Sequence, residues 1–170
     1  MEYTGENRAK RNQLYTDTDI SNVTLLFSTL SNFQKMDPSI FTVWMNILRR
    51  FPQSKLMTIE YAGFETAMKN LRKVSQVHGI KSDRIPLSPQ APWIDHVNTK
   101  TAVDMFLDTG TKNGHTTGLD SVWAGVPTVV LGGGATMPAR AAESIAAGLE
   151  SPIGVTYSLK DYEDKVTLDY

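Results

Sequence analysis

The segment Asn113-Gly114-His115-Thr116-Thr117-Gly118 holds the residue types best suited to gripping an anion. It follows the apolar run VDMFLD and precedes a helix-period stretch. Small and hydroxyl residues at a helix start leave backbone N–H groups free, and the helix dipole favours negative charge there. Thr116 and Thr117 add two hydroxyl donors and His115 a third, a set matched to a diphosphate. The same spacing also fits an ordinary helix cap with His115 on the surface. Asp120 lies in the first turn or so of that helix, where it can accept hydrogen bonds from ribose hydroxyls or simply answer the dipole. In an earlier loop, residues 31–35, Lys35 is either a solvated charge or, if it shares the crevice, a cation that neutralises a departing diphosphate. A third loop, 87–96, is stiffened by Pro89 and Pro92, so its backbone can be held rigidly enough to read a base edge. Trp93 and His96 supply flat faces for stacking; the alternative is a loop packed on its own prolines, with Trp93 as core filler. The three glycines at 132–134 are a weaker signal.

Other chemistries lack their residues. There is no GxxxxGK[ST] phosphate loop, no GxGxxG at the first strand–helix turn, no HExxH and no GxSxG elbow. The three histidines, His78, His96 and His115, have no metal-ligand spacing, and the absence of cysteine excludes disulfides and thiolate zinc sites. No resident metal or cofactor is expected. A formal net charge of -1 gives no electrostatic case for nucleic acid or an anionic membrane. The small basic group Arg8, Lys10 and Arg11 reads as a solvated tail. The start, MEYTGENRAKRNQ, has no apolar secretory segment, and no window approaches a membrane span. A cytoplasmic or nuclear setting is the expectation.

The elements that must position these loops alternate. Residues 1–20 are polar and aperiodic, a linker or entry segment, and residues 21–170 form one domain. Strands are expected at 23–27, 56–61, 85–87, 103–107 and 128–131. Helices are expected at 38–50, where Asp37 caps and Pro38 takes the first position, at 65–78 with Gly79 after it, at 114–124, at 138–147, and from Ser158 with Asp161 completing a capping box. Strand and helix in turn, with short connections, call for a Rossmann-like doubly wound parallel sheet covered on both faces.

Several runs together resemble the catalytic region of protein O-GlcNAc transferases. They are Lys35-Met36-Asp37-Pro38, Trp44-Met45-Asn46-Ile47-Leu48-Arg49-Arg50, Ser88-Pro89-Gln90-Ala91-Pro92, His96-Val97 and Leu107-Asp108-Thr109. Most specific is the stretch from Asn113 to Asp120, followed by Trp123-Ala124-Gly125-Val126-Pro127. The resemblance spans about residue 11 to the C-terminus. It implies the C-terminal half of a GT-B glycosyltransferase and inverting, metal-independent transfer of GlcNAc from UDP-GlcNAc to protein Ser or Thr hydroxyls. Lys35 would steady the leaving diphosphate; His115, Thr116 and Thr117 would hold the phosphates, and Asp120 the ribose. The Ala91 backbone, flanked by Gln90, would meet uracil with His96 beside it, and Asn32 and Trp93 complete the expected nucleotide-sugar set.

The chain departs from that pattern where Asn32 replaces the usual Gln, Trp93 a Lys and Thr99 an Arg, so two cations are lost from the grip on UDP. The acceptor-binding repeats and the other catalytic lobe that the resemblance implies have no counterpart here, so the chain is expected to bind nucleotide without transferring sugar alone. Two rivals stand beside this reading: a SPINDLY-type lobe using GDP-fucose, and a binding module that kept the fold and lost its ligand.

Overall fold

Asp37 starts the first helix as its type demands: its Oδ1 accepts from the amides of Ser39 at 2.9 Å and Ile40 at 3.1 Å, with Pro38 at the first helical position. In the computed structural model, which describes residues 23–149 and 154–168, this is one step of a regular alternation. The order is β1 (Leu25–Ser28), α1 (Pro38–Arg50), β2 (Ser54–Ile59), α2 (Phe64–Val77), β3 (Leu87–Ser88), α3 (Trp93–Lys100), β4 (Met105–Leu107), α4 (Thr116–Trp123), β5 (Thr128–Leu131), α5 (Ala141–Gly148), β6 (Gly154–Thr156) and α6 (Leu159–Leu168). The expected linker, residues 1–20, lies outside the described residues.

All pairings are parallel, in the order β3-β2-β1-β4-β5-β6. The chain winds outward from β1 to β3, crosses back to β4 beside β1, and winds outward again. The order therefore reverses between β1 and β4, the point at which such sheets bind ligands beyond the carboxyl ends of their strands. Alternation along the strands divides the core. Leu25, Phe27, Met105 and Leu107 pack with Ile40, Trp44, Ile47, Met68, Tyr162 and Val166 of α1, α2 and α6. Leu26, Leu30, Phe106 and Val126 form a smaller core on the opposite face.

Arg84 fastens the back of the sheet. Its guanidinium donates to the carbonyls of Leu48 at 2.7 Å, Phe51 at 2.8 Å and Ser54 at 2.9 Å, satisfying the end of α1 and the start of β2 together. After α2, Gly79 takes φ +76°, the left-handed residue that ends a helix cheaply.

Three expectations need correction. Residues 93–96 are the first turn of α3 and not loop, because Pro92 and Asp95 provide a helix start that the weak apolar period of WIDHVNTK concealed. The helix expected at 138–147 is broken at Arg140, with a 3-10 turn at Met137–Ala139 before α5. β6, unanticipated, adds an edge strand in register with β5. The broken segment carries a prediction. A Cβ on Gly134 would stand 2.3 Å from that of Ala139 and 2.8 Å from its carbonyl oxygen. Overpacking of this kind costs about 1–3 kcal/mol, so Gly134→Ala should melt several degrees below the parent in a thermal scan.

Candidate nucleotide-sugar site

The loop between β4 and α4 is built around one side chain. Asp108, fully buried at the end of β4, accepts with Oδ1 from the amides of Thr109 at 2.8 Å and Gly114 at 2.6 Å. Thr109 Oγ1 donates to the Lys112 carbonyl at 2.6 Å, and Asn113 Nδ2 to the Thr109 carbonyl at 2.8 Å. The Asn113 amide is tied to the Pro138 carbonyl at 2.8 Å. Gly114 must be small, since a Cβ there would press on Asp108 Oδ1 and the Gly118 amide, both at 3.1 Å. Polar groups buried this deeply are placed to hold backbone in one shape.

This closed loop delivers His115 at the N-cap of α4 and Thr116 and Thr117 in its first turn. No side chain caps that turn. The reading of Thr116 or Thr117 as a plain cap is thus not what the chain adopts, and the first-turn N–H groups have no side-chain cap. His115 Nε2 lies 3.4 Å from the Pro138 carbonyl.

Lys35 reaches the same loop from the other side of the switch. It ends the 3-10 turn Phe33–Lys35, and its Nζ donates to the Asn113 carbonyl at 3.1 Å. Burial draws its pKa below the ordinary lysine value, with Lys112 adding to the fall and Asp108 opposing it. Asn32 caps that turn, its Oδ1 accepting from the Gln34 amide at 2.9 Å. Its side-chain oxygen is therefore committed to holding Lys35's turn.

From the other flank comes α3. Trp93, 65% exposed, donates from Nε1 to Asp120 Oδ1 at 3.4 Å. His96, one turn on, is half-buried; burial and then Lys100 hold its pKa down, against Asp120. Gln90 and Ala91 sit in the exposed loop just before Trp93. Among the described contacts none ties these two to α4, so they join the site by chain continuity alone. The structure thus brings Lys35 to the loop that leads into α4, and Trp93 and His96 beside Asp120 on α4 itself.

Two residues of this neighbourhood were missed. Asp108 carries a sequence signal, an acid ending a buried strand ahead of a glycine turn. Lys100 carries none, because a lysine on a helix reads as solvated. It is 1% exposed, its Nζ 3.4 Å from the Thr117 carbonyl and 5.7 Å from the Phe106 ring centre. Burial pushes its pKa down to about 8, and Asp120 opposes.

A cavity of about 450 Å³ borders the same loops, lined by Asp37, Ser39, Gly110, Thr111 and the β5 loop with Gly132 and Gly134. None of the expected nucleotide residues lines it. The glycine loop, weak from spacing alone, thus bounds an opening that the 108–114 loop also borders. Among the described residues no three His, Asp or Glu side chains gather as a metal site, and no helix is long and apolar enough to cross a membrane.

A parallel 3-2-1-4-5-6 sheet with a helix between successive strands is a Rossmann-like doubly wound fold, the architecture of the C-terminal half of a GT-B glycosyltransferase. Comparison with known proteins narrows this. The chain belongs to glycosyl transferase family 41, whose model matches residues 4–169. It is 34% identical over 142 residues to a probable UDP-N-acetylglucosamine–peptide N-acetylglucosaminyltransferase, SEC, of Arabidopsis thaliana, covering 82% of this chain and 14% of that protein. It is 35% identical over 109 residues to the UDP-N-acetylglucosamine–peptide N-acetylglucosaminyltransferase of Caenorhabditis elegans, covering 63% of this chain and 9% of that one. A solved O-GlcNAc transferase mutant of Thermobaculum terrenum superposes with TM-score 0.78 at 26% identity, over 84% of this chain and 28% of that one. The chain therefore spans only a small part of the relatives it matches.

Proposed function

We propose that this chain is the lobe that binds UDP-GlcNAc in an inverting protein O-GlcNAc transferase, which passes GlcNAc to Ser or Thr hydroxyls without a resident metal. The observation that carries this reading is the convergence of Lys35 on the loop that feeds the uncapped first turn of α4. The diphosphate would lie across the amides and hydroxyls of His115, Thr116 and Thr117. Lys35 would meet the negative charge that grows on the leaving UDP, a stabilisation made larger by partial burial. The ribose would fall to Asp120, which exchanges its Trp93 contact for sugar hydroxyls, and the base to the 90–96 segment, with Trp93 and His96 beside it. The hexosamine would then point toward the cavity at Gly110 and Gly132. Acceptor residues and a general base come from outside this chain, so alone it binds and does not transfer.

Calorimetric titration with UDP, UDP-GlcNAc and GDP tests the reading. We expect the uridine nucleotides to bind and GDP to bind at least tenfold more weakly. Preference for GDP would favour the fucosyl rival, and no heat from any nucleotide at millimolar concentration would favour a module that has lost its ligand.

A further inference from the structure

We propose that Asp108 is the positioning residue of the diphosphate site, closing the 108–114 loop from beneath, and that its charge opposes the incoming diphosphate, so the site takes up a proton as the sugar nucleotide binds. This rests on the nucleotide-sugar reading above. The geometry begins with the one-sided use of the carboxylate. Oδ1 takes both amide donors that close the ring, at 2.8 and 2.6 Å, whereas Oδ2 is buried with no hydrogen-bond partner. Thr29 Oγ1 and Ser31 Oγ, just past the adjacent strand β1, are likewise buried without a partner. A carboxylate in such a place is held by structure and poorly compensated as an anion.

The ring that Asp108 closes is the one Lys35 grips, through the Asn113 carbonyl at 3.1 Å, and it ends at the α4 turn that receives phosphate. Lys35 therefore answers two negative groups, one already buried below the loop and one arriving above it. Besides Lys35, the titratable group in contact with Asp108 is Tyr162 on α6, whose hydroxyl donates to the Asp108 carbonyl at 2.9 Å; Lys112 on the same loop acts on Lys35, and the His115 ring lies by the Pro138 carbonyl. Burial raises the Asp108 pKa to about 7, against the lowering effect of its amide donors and Lys35. A diphosphate bound next to it raises that value again, and the proton comes from solvent.

The sign for the empty protein follows from the same shift. An aspartate raised from 3.8 to about 7 keeps its proton in the folded chain after the unfolded chain has lost it. The fold consequently loses stability as pH climbs from about 4 to 7, and loses no more beyond that. Asp108→Asn retains the Oδ1 acceptor and removes the charge.

UDP-GlcNAc is the proper probe, because its diphosphate is a diester with no proton to lose near neutrality. For the parent chain we expect Kd to weaken about fivefold between pH 6.5 and 8.5, which is the effect of a one-unit rise on binding. Calorimetry in two buffers of different ionisation enthalpy should register proton uptake. Asp108→Asn should lose at least half of the parental pH slope and proton uptake, what remains belonging to Lys100 beside the Thr117 carbonyl, and its melting temperature should gain on the parent from pH 5 to pH 8. If Asp108→Asn keeps the parental pH slope and uptake, the proposal is overturned while the nucleotide reading survives. If the parent binds no UDP-GlcNAc at either pH, both fall. Should the variant not fold, carbon-13 titration of the Asp108 carboxyl in the parent decides: its midpoint rises on saturation with UDP-GlcNAc, or the proposal is wrong.

Discussion

Lys35→Met weakens UDP binding by about ten- to a hundredfold and leaves the fold standing; this is the largest ligand effect expected from a single change. The magnitude follows from removing a charge-assisted contact, worth about 1.5–3 kcal/mol when the partner is ionised. Methionine keeps the aliphatic stem that lies half-buried between the Asn32-capped turn and the 108–114 loop, so packing changes little. What disappears is the ammonium that donates to the Asn113 carbonyl and balances Asp108. Because one charge is lost from a partly exposed site, the parent's affinity should also fall more steeply with salt than the variant's. Calorimetry at two ionic strengths reads both effects. A Kd unchanged within twofold would place Lys35 away from the phosphates and remove the basis for assigning it a role.

The largest stability effect is expected at Trp44, on the far side of the sheet. Trp44 is fully buried in α1, its Nε1 3.4 Å from the Tyr162 hydroxyl, which in turn donates to the Asp108 carbonyl at 2.9 Å. Trp44→Ala should cost about 3–5 kcal/mol for the lost packing and the cavity left behind. In a domain of this length that lowers the melting temperature by about 10 °C or more. The same chain of contacts links the α1–α6 core to the floor of the site, so Tyr162→Phe should lose less stability yet leave the Trp44 indole and the Asp108 carbonyl short of partners. A thermal scan of Trp44→Ala within 3 °C of the parent would show that α6 does not depend on this residue.

Much of the architecture could be read from residue types whose effects are local. Asp37-Pro38 marks the start of α1, Gly79 the end of α2, and Ser158 begins α6, its Oγ accepting from the Asp161 amide at 3.0 Å. Strands buried on both faces show as short apolar runs such as Thr128–Leu131. α3 was hidden because its exposed face carries Trp93 and Ile94, which break the apolar period. β6 was hidden because a three-residue edge strand has too few side chains to show a pattern.

The site divides along the same line. The types and spacing of residues 113–120 determined by themselves that a helix start rich in small and hydroxyl groups follows a buried strand, since capping and dipole effects act within one turn. Tertiary structure alone decided that this turn goes uncapped, that Lys35 crosses the switch point to the Asn113 carbonyl, and that Lys100 is buried against Phe106. It also decided that Asp108 spends one oxygen on the loop and strands the other. Burial and through-space charge depend on which strands become neighbours, and β1 and β4, brought side by side from opposite ends of the winding, are far apart in the chain.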